Sequence, residues 1–372
     1  MKRKKVSELA KQIRGVSYKT EDLHENLDEN SVTLLRANNI FEGRINFDDV
    51  VYVDKSRVAR EQYLCKGDIL VCASSGSKQL VGKAASFNFD TECTFGAFCK
   101  VVRPNQDVAN YLSMYFQSNA YRRKISEVAI GANINNIRNE HIDALELPIG
   151  SNAENEKVVA SFSLLQQIID GRKQQLHKLD ELIKSRFIEL FGDPVLNQHG
   201  WRKVALEVNA TLLNGRAYKQ DELLDSGKYP VLRVGNFFSN RGWYYSDLEL
   251  DDDKYCDNGD LLYAWSASFG PQIWNGGKVI YHYHIWKVLV GEAYNKQFLC
   301  KLLEYATESL MGDTHGIAMM HLTKSGMEKT EFIVPPIEQQ EQFAAFVEQT
   351  DKSKLAVQKG LQELEILKKS LM

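Results

Sequence analysis

Long apolar runs are absent from this sequence. No run of about 18 apolar residues occurs in it, so a membrane-spanning helix is not expected. The basic start Met1-Lys2-Arg3-Lys4-Lys5 is followed by mixed and polar residues rather than by an apolar stretch, which argues against a signal peptide. We therefore expect a cytoplasmic chain that makes no contact with a membrane.

Paired cysteines are also lacking. The six cysteines are scattered and none forms a C-x-x-C motif, so a zinc site has little support. We expect no bound metal and reduced thiols, as in a cytosolic protein. These cysteines are Cys65, Cys72, Cys93, Cys99, Cys256 and Cys300.

Neither sign of charge dominates. Lys and Arg number 46 against 49 Asp and Glu, which gives a net charge of −3. This balance argues against a protein that coats nucleic acid without regard to sequence. It is compatible with a sequence reader whose basic residues are local, or with one that shares phosphate contacts with a partner.

Catalytic motifs are missing as well. The only Pro-Pro pair lies in Val334-Pro335-Pro336-Ile337, without the polar and aromatic neighbours that a DNA amino-methyltransferase requires. No G-x-x-x-x-G-K-[ST] loop occurs, so the chain carries no P-loop motor. His282-x-His284 could be half of a metal site, but its aromatic neighbours favour a packed β-strand. We predict no catalytic residues.

What the sequence does contain is an internal repeat, since both halves carry the same short signatures in the same order. The segments between these signatures differ strongly, as two copies of one scaffold with different recognition surfaces would. The matched pairs are Lys5-Val6 with Lys203-Val204, Tyr18 with Tyr218, Leu35–Ile40 with Leu232–Phe237, Lys66–Leu70 with Asn258–Leu262, Tyr111–Phe116 with Phe298–Leu303, Gly131 and Ile137 with Gly316 and Leu322, and Leu147–Ile149 with Pro335–Ile337.

Each repeat is followed by a charged stretch with apolar residues at alternating steps of four and three, which predicts two long helices, about Glu154 to Phe191 and about Glu338 to Leu371. Each helix could pack on its own domain, but the shared register favours antiparallel pairing with the other. Gly171 and Gly360 either allow a close backbone approach or are tolerated glycines. The residues predicted to form the coiled coil and to contact partners are Leu165, Ile169, Leu176, Leu179, Ile183, Val357, Leu361, Leu364 and Leu371.

Over essentially its whole length the chain resembles the specificity subunits of type I restriction–modification systems. The resemblance is carried by Leu35–Ile40, by the Gly-Asp-Ile/Leu-Leu string of each half, by Pro335–Gln340 and, most specifically, by Ser185–Pro194. The chain departs from the usual pattern after Ile149, where Gly150–Ala153 precede the helix.

The resemblance implies an α+β fold: two similar mixed α/β target-recognition domains in tandem, separated by two long helices that pair as an antiparallel coiled coil, with pseudo-two-fold symmetry. We expect target-recognition domains at 1–149 and 194–337, a central spacer helix at 150–193 and a C-terminal spacer helix at 338–372.

The resemblance also implies partners. These are double-stranded DNA with a bipartite target, two adenine-methyltransferase subunits, and a translocase–nuclease subunit in the restriction enzyme. The chain itself needs no cofactor, and S-adenosylmethionine is expected in the methyltransferase partner. Two alternatives stay open: the specificity subunit of a fused methylase–nuclease system that cuts at bipartite sites, and a coiled-coil protein-binding scaffold that does not bind DNA.

Candidate DNA-contacting residues lie in segments rich in small, amide and basic side chains, which suit contacts to base edges and phosphates. For each of them a solvated surface position is the alternative. Arg36 and Arg233 belong to the shared signature, so we expect them to brace the scaffold or hold phosphate rather than to select bases. The candidates are Ser74, Ser75, Lys78, Gln79, Lys83, Arg122, Arg123, Asn133, Asn135, Asn136 and Arg138 in the first half, and Arg216, Lys219, Arg241, Ser266, Ser268, Lys278 and His315 in the second.

Overall fold

The computed structural model describes residues 2–77, 80–128, 135–239, 242–266, 268–312 and 323–371. The chain forms two compact units. Unit 1 contains Met1–Lys173 together with Lys359–Met372, and unit 2 contains Gln174–Gln358. Among the described residues, none of the helices combines the length and apolar character needed to cross a bilayer.

Unit 1 combines short strands with a few helices. Its strands are β1 (Lys2–Lys5), β2 (Ala10–Arg14), β3 (Leu23–His24), β4 (Ser31–Leu35), β5 (Ile40–Phe41), β6 (Arg44–Ile45), β7 (Val51–Asp54), β8 (Ile69–Cys72), β9 (Ser74–Ser75), β10 (Ala84–Ser86), β11 (Cys93–Phe95), β12 (Cys99–Pro104), β13 (Asn135–Asn136) and β14 (Glu146–Ile149). Its helices are α1 (Val6–Leu9), α2 (Ala109–Phe116), α3 (Asn119–Val128), α4 (Asn139–Asp143) and the first part of α5 (Asn152–Phe191).

Two four-stranded sheets organise unit 1. One has the antiparallel order β10-β8-β12-β2, and the other has the order β11-β4-β7-β3 with β11 parallel to β4. Strands β4 and β8 read Ser-Val-Thr-Leu-Leu and Ile-Leu-Val-Cys and are buried along their whole length. The side chains of β8 are apolar on both faces, and β4 carries Val32, Leu34 and Leu35 besides its buried Ser31 and Thr33, so each strand lies inside a sheet and is covered on both sides.

Unit 2 repeats this arrangement. Its strands are β15 (Lys203–Ala205), β16 (Ala210–Asn214), β17 (Tyr229–Leu232), β18 (Tyr244–Ser246), β19 (Tyr255–Cys256), β20 (Leu261–Ser266), β21 (Ser268–Ile273), β22 (Val279–Tyr281), β23 (Ile285–Val290) and β24 (Glu331–Ile333). Its helices are α6 (Leu206–Asn209), α7 (Val234–Phe238), α8 (Lys296–Gly312), α9 (Lys324–Lys329) and most of α10 (Ile337–Leu371). The sheet order β21-β20-β23-β16 matches β10-β8-β12-β2, and the parallel pair β17–β22 matches β4–β11.

The match between the units extends to single hydrogen bonds. The Gly96 backbone N–H donates to the Leu35 carbonyl at 3.0 Å, and the His282 N–H donates to the Leu232 carbonyl at 2.9 Å. Beside these residues, a Cβ added at Gly15 would lie 2.1 Å from the Gly96 carbonyl oxygen. A Cβ at Gly215 would lie 2.4 Å from the His282 oxygen. The predicted tandem repeat is therefore confirmed at the level of the backbone, but two of the predicted residue pairs are wrong. The Val6 N–H donates to the Leu145 carbonyl and the Leu206 N–H donates to the Thr330 carbonyl, so Val6 corresponds to Leu206 rather than to Val204. By the same strand pairing, Leu147–Ile149 corresponds to Phe332–Val334 rather than to Pro335–Ile337.

Helix α5 begins and ends with capping residues that the sequence supplies. The Ser151 backbone N–H donates to the Glu154 carboxylate at 2.8 Å, and the Glu154 N–H donates to Ser151 Oγ at 3.4 Å, which together form a capping box. At the other end Gly192 adopts a φ of +72°, and its N–H donates to the Ile188 carbonyl at 2.9 Å. The helix therefore begins at Asn152, two residues before the predicted start at about Glu154.

Within unit 1, α5 and α10 run antiparallel. Lys368 of α10 donates to the side chain of Gln166 and lies 5.2 Å from the centre of the Phe162 ring. Further along α5, Lys173 pairs with Glu365 at 3.8 Å. Within unit 2, Lys354 pairs with Asp180 at 2.7 Å, and the rings of Phe343 and Phe187 are 5.4 Å apart. In both units, the residue numbers of the partners on α10 fall as those on α5 rise, which confirms the predicted antiparallel pairing.

The predicted apolar line is correct for most of its length and wrong at the end of α5. Phe187 and Phe191 are fully buried, whereas the predicted steps of four and three, which pass from Leu179 to Ile183, continue through Arg186 and Leu190. The reason is that this end of α5 also belongs to the core of unit 2, where Phe187 stacks on Phe298 at 5.5 Å. Among the predicted pairing residues, Leu165, Ile169, Ile183 and Val357 are buried, Leu176, Leu179, Leu361 and Leu364 are half-buried, and the side chain of Leu371 is outside the described ones.

The idea of a close backbone approach at Gly171 and Gly360 is wrong. A Cβ added at either position would meet nothing within 4 Å, so neither glycine makes room for a neighbour in this structure. Both are glycines tolerated within a helix.

Candidate nucleic-acid interface

In unit 1, two of the predicted segments meet. Strand β9 pairs antiparallel with β13, so that Ser74 lies opposite Asn136. The Ile137 N–H extends the pairing by donating to the Ala73 carbonyl at 2.8 Å. This contact joins the segment that begins at Ser74 to the amide-rich segment that ends at Arg138, although more than 50 residues separate them in the sequence.

A cavity of about 370 Å³ beside Ser74 is lined by basic and amide side chains. Lys100 lies directly opposite Arg14 in the β2–β12 pair, and Lys100 also donates to the side chain of Asn139. Burial lowers the pKa of Lys100, and the nearby Arg14 guanidinium lowers it further. Two like charges at adjacent strand positions repel each other, so an anion bound between them would be stabilised. The other polar residues of this cavity include Asn136 and Arg138.

A second cavity of about 430 Å³ also reaches Ser74 and is lined by Tyr18, Arg36, Asn38 and Phe98. Arg36 is engaged with Asp49: its Nη2 lies 3.0 Å from a carboxylate oxygen and 3.2 Å from the carbonyl oxygen. These bonds agree with the bracing role expected for Arg36. The side chain of Phe98 is 71% exposed at this cavity and offers an apolar ring to a ligand.

Other candidates of unit 1 lie apart from these two cavities. Arg122 donates from Nη1 to the Val81 carbonyl at 2.7 Å and so helps to hold the end of the predicted loop. The same loop closes through a hydrogen bond from the Cys72 N–H to the Lys83 carbonyl, 2.9 Å long. Arg123 lines a wide, open depression of about 860 Å³ together with Lys369.

Several predicted contacts cannot be placed. Lys78, Gln79, Asn133, Arg241 and His315 lie outside the described residues, as does the side chain of Asn135.

In unit 2 the matching segment is the β20–β21 hairpin. Its pairing runs to Ser266 opposite Ser268, so both predicted serines lie at its end. The preceding residue, Trp265, is the outermost ring of a stack. Its ring centre is 5.7 Å from that of Trp286, and Trp286 lies 5.7 Å from Tyr263. The stack thus leads from buried residues to the hairpin end.

His282 and His284 lie in the connection between β22 and β23, so the prediction that they lie on a β-strand is wrong. The strands end at Tyr281 and resume at Ile285, and a tight turn follows because the Ile285 N–H donates to the His282 carbonyl at 2.9 Å. Burial, His284 and Arg233 lower the pKa of His282 to about 4, so its ring is neutral at pH 7. Within the described part of the chain, no group of three or more His, Cys, Asp or Glu could hold a metal.

The basic candidates of unit 2 are mostly engaged within the unit. Arg216 forms two hydrogen bonds with Glu222, at 2.9 and 2.7 Å, and this pairing lowers the pKa of Glu222 to about 2. Lys278 lies 4.4 Å from the centre of the Tyr255 ring. Lys219 is exposed, and its backbone N–H donates to Glu222 at 2.8 Å. Arg233 lies over the ring of Tyr244 at 4.3 Å, which agrees with the bracing role expected for it.

Arg14, Lys100 and Phe98 also line these cavities of unit 1, although they are not among the predicted contacts. A signal for the first of them was present: Arg14 and Tyr18 flank Gly15 as Asn214 and Tyr218 flank Gly215. The two glycines match as well as the two tyrosines, and each glycine marks a close approach of two backbone segments. No local pattern indicates Lys100, because its place beside Arg14 depends on strand pairing.

The sequence of this chain matches a family model and several known proteins. A family model described as the type I restriction modification DNA specificity domain matches residues 199–366. The specificity subunit of the restriction enzyme StySPI of Salmonella potsdam is 32% identical over 279 residues, which cover 69% of this chain and 59% of that protein. The EcoKI specificity subunit of Escherichia coli K12 is 34% identical over 281 residues, covering 70% and 60%. The chain thus spans about three fifths of the length of these relatives.

Two solved structures share the fold. The S subunit of a type I restriction–modification system from M. genitalium aligns over all of this chain and 94% of its own, with a TM-score of 0.52 and 14% identity. The second structure concerns the complex assembly and conformational transition of the type I restriction–modification system. One of its chains aligns over all of this chain and 96% of its own length, with a TM-score of 0.59 and 15% identity. At such identities the likeness concerns the fold alone.

Proposed function

The chain belongs to the specificity subunits of type I restriction–modification systems, and from this membership we propose that it is a sequence-specific DNA-binding subunit. It reads a bipartite target, with one half-site for the domain at 1–149 and one for the domain at 194–337. Its helices at 150–193 and 338–372 dock methyltransferase subunits.

One observation carries the proposal. Equivalent backbone hydrogen bonds, such as Gly96 to Leu35 and His282 to Leu232, occur in both units, yet equivalent positions at the candidate interface carry different side chains, as at Arg14 and Asn214. Residues that maintain a common scaffold should agree between the units, and residues that select bases should differ when the two half-sites differ. A bipartite, asymmetric target accounts for both facts.

Phosphate contacts fit unit 1. Arg14, Lys100 and Arg138 surround one cavity, and amide side chains of the kind that pair with adenine edges lie beside them. With a net charge of −3 the chain is not basic overall, so these local charges have to supply the attraction to DNA, together with any contributed by a partner.

The two long helices suit partner docking because they expose apolar side chains away from their seam. Leu164 and Ile168 of α5 are exposed and lie one turn apart on one side of the helix. Leu182 of the same helix and Leu355 of α10 are also exposed. Exposed apolar rows of this kind are typical of a surface that another protein covers.

We propose further that catalysis belongs to partners. A methyltransferase subunit would bind S-adenosylmethionine and methylate adenine, and a translocase–nuclease subunit would cleave DNA. The Pro335-Pro336 pair supports this division: it lies between β24 and α10, next to Val334 and Ile337, where the motif of an amino-methyltransferase needs polar and aromatic side chains.

The decisive experiment is co-expression with the cognate methyltransferase in a host that lacks other adenine methylation, followed by mapping of modified adenines. We expect one bipartite motif whose halves are separated by unread bases. Absence of new methylation, from a complex shown to assemble, would contradict the proposal.

The assignment of one half-site to unit 1 has its own test. Replacing the segment Ser74–Lys83 with that of a related subunit should change one half of the methylated motif and leave the other half intact. If neither half changed after the replacement, the segment would not be a DNA reader.

Docking through α5 can be tested by the double substitution Leu164→Glu and Ile168→Glu. It should abolish co-purification of the methyltransferase, because two charges would enter an apolar contact. The matched control is Ser163→Glu with Gln167→Glu, which places the same charges on a different side of the same turn. Equal loss in both variants would argue against a docking face at Leu164 and Ile168.

A coiled-coil scaffold without DNA binding is the rival function. A gel shift of the assembled complex with its mapped target, across a salt series, separates the two. A DNA reader should lose affinity steeply with salt, because each phosphate contact releases counterions. The fused methylase–nuclease alternative is separated by the neighbouring genes, which would encode a single fused partner.

A further inference from the structure

Equivalent interface positions in the two units can be matched through their hydrogen bonds. The Ala73 N–H donates to the Phe98 carbonyl at 2.9 Å, and the Trp265 N–H donates to the His284 carbonyl at 3.0 Å. Ala73 therefore corresponds to Trp265, and Phe98 corresponds to His284. By the same register, the preceding residue Tyr283 corresponds to Ala97.

The residues that lie beneath these positions also differ between the units: they are charged in unit 1 and uncharged in unit 2. In unit 1, Arg14 lies opposite Lys100 in the β2–β12 pair. In unit 2, the corresponding pair of β16 and β23 places Asn214 opposite Trp286. The basic pair of unit 1 is thus replaced in unit 2 by an amide and a buried tryptophan. The same region of the scaffold suits an anion in one unit and apolar groups in the other.

Trp265 is held rigidly at the outer end of this aromatic region. It stacks on Trp286 with the ring planes 19° apart, and the rings of His284 and Tyr283 meet it edge-on at 5.0 and 5.9 Å. The indole N–H donates to the Tyr283 carbonyl at 2.9 Å. Tyr283 itself is 38% exposed, so the cluster reaches the surface of unit 2.

This arrangement limits what Trp265 can recognise. Its only polar hydrogen is already donated within the unit, and an indole has no hydrogen-bond acceptor. What remains is the apolar ring. Among the base edges in the major groove, the thymine C5-methyl is the group recognised by apolar contact.

Resting on the proposed function, we infer that Trp265 and Tyr283 determine the specificity of the half-site read by unit 2, through apolar contact with a thymine methyl group. The occupant of this surface is the DNA duplex, since the equivalent surface of unit 1 is lined by Arg14, Lys100 and Arg138, whose charges complement phosphates. Unit 1 carries alanine at both positions, so its half-site does not depend on an apolar contact from these two positions.

The first test maps the methylated motif of Trp265→Ala and Tyr283→Ala complexes. Both variants introduce the residue that unit 1 carries at the same backbone position, so the fold should tolerate them. We expect relaxed selectivity at one position in the half that the Ser74–Lys83 replacement leaves intact. Trp243→Ala is the matched control, because it removes another partly exposed tryptophan of unit 2. Equal relaxation by this control would overturn the assignment to Trp265 and Tyr283.

The second test removes only the methyl group from the DNA. Duplex targets carry deoxyuridine in place of single thymines of that half-site, and methylation rates are compared. We expect one replacement to lower the wild-type rate about fourfold, the effect of losing the burial of one methyl group. Trp265→Ala should be insensitive to the same replacement, whereas Trp265→Phe, which keeps an apolar ring, should stay sensitive.

Two results would overturn the inference while leaving the proposed function intact: an unchanged motif in both alanine variants, or a wild-type complex that tolerates deoxyuridine at every thymine of that half-site. Absence of any bipartite methylation by the wild-type complex would instead contradict the proposed function.

Discussion

The guanidinium of Arg103 and the carboxylate of Asp68 form two hydrogen bonds, each 2.7 Å long, inside unit 1. The Asp68 side chain is buried and also accepts the Cys65 N–H at 2.8 Å. In unit 2, Asp260 holds the same position after Gly259, and it pairs with Lys287 at 2.7 Å while accepting the Asp257 N–H. Each unit therefore fixes the turn before its central strand with a carboxylate and a cation from a neighbouring strand.

Substitution of Asp68 by Asn should reduce the free energy of unfolding by about 3 kcal/mol, since it leaves the charge of Arg103 without its partner in a largely buried setting. Asp260→Asn should cost about 1 kcal/mol, because Asp260 is more exposed and Lys287 offers a single contact. Urea unfolding of the two variants measures both values. Equal losses would mean that burial does not decide the strength of the pair.

At Gly15 the neighbouring backbone leaves no room for a side chain. Gly15→Ala places a Cβ 2.1 Å from the Gly96 carbonyl oxygen, which is held in place because it accepts the Cys99 N–H at 2.8 Å. We expect a loss of about 2 kcal/mol or more, within the range of overpacked cores. Gly171→Ala is the matched control and should stabilise the chain by about 1 kcal/mol, since alanine favours the helix and the new Cβ meets no atom within 4 Å. A destabilised Gly171→Ala variant would show that this glycine has another role.

The phenylalanine cluster at the end of α5 predicts a large cavity effect. Phe187 is fully buried and contacts Phe191, Phe298, Tyr305 and Phe343. Phe187→Ala should therefore cost about 3–5 kcal/mol in chemical unfolding.

The comparison for this cluster is Leu355→Ala. The Leu355 side chain on α10 is 68% exposed, so its truncation should cost no more than about 0.5 kcal/mol. Similar losses for Phe187→Ala and Leu355→Ala would contradict the assignment of Phe187 to the core of unit 2.

Acid should weaken unit 2 through His282. Because burial lowers its pKa from 6.5 to about 4, the unfolded chain takes up a proton below pH 6.5 that the folded chain refuses until about pH 4. Stability is therefore lost as the pH falls through this window. Melting temperatures of wild type and His282→Asn, compared between pH 7.5 and 5, should show a smaller decline in the variant.

His24 supplies a control of opposite sign. A hydrogen bond to Asp28, together with the charges of Asp28 and Asp54, raises the pKa of His24, so its contribution to stability is present at low pH and lost as the pH rises through the raised pKa. His24→Asn should steepen the decline on acidification. Variants that change the decline in the same direction would contradict these assignments.

The sequence was most informative where structure depends on near neighbours. The heptad spacing predicted both long helices, and Ser151, Glu154 and Gly192 specify where α5 begins and ends. It misled where one helix serves two surfaces: a heptad line through Arg186 is correct for a pair of helices alone, but Phe187 lies in the core of unit 2. That core is built from strands and from α8, which the spacing of α5 cannot reveal.

The candidate interface was less predictable for a related reason. Ser74 and Arg138 were expected at the DNA, but Arg14 and Lys100 were not, because only the β2–β12 pairing brings them together. Arg216 was expected at the DNA as a cation, whereas the fold pairs it with Glu222. Local composition shows that a charge is present, and tertiary contacts decide whether another side chain in the same unit pairs with it.

By itself, then, the sequence determined the repeat, the two helices and the family. Each depends on residues a few positions apart, or on short motifs that occur in both halves of the chain. The tertiary structure decided which side chains share a surface. Strand pairing joins residues far apart in the chain, and so it alone placed a basic pair in unit 1 and a tryptophan stack at the same position in unit 2.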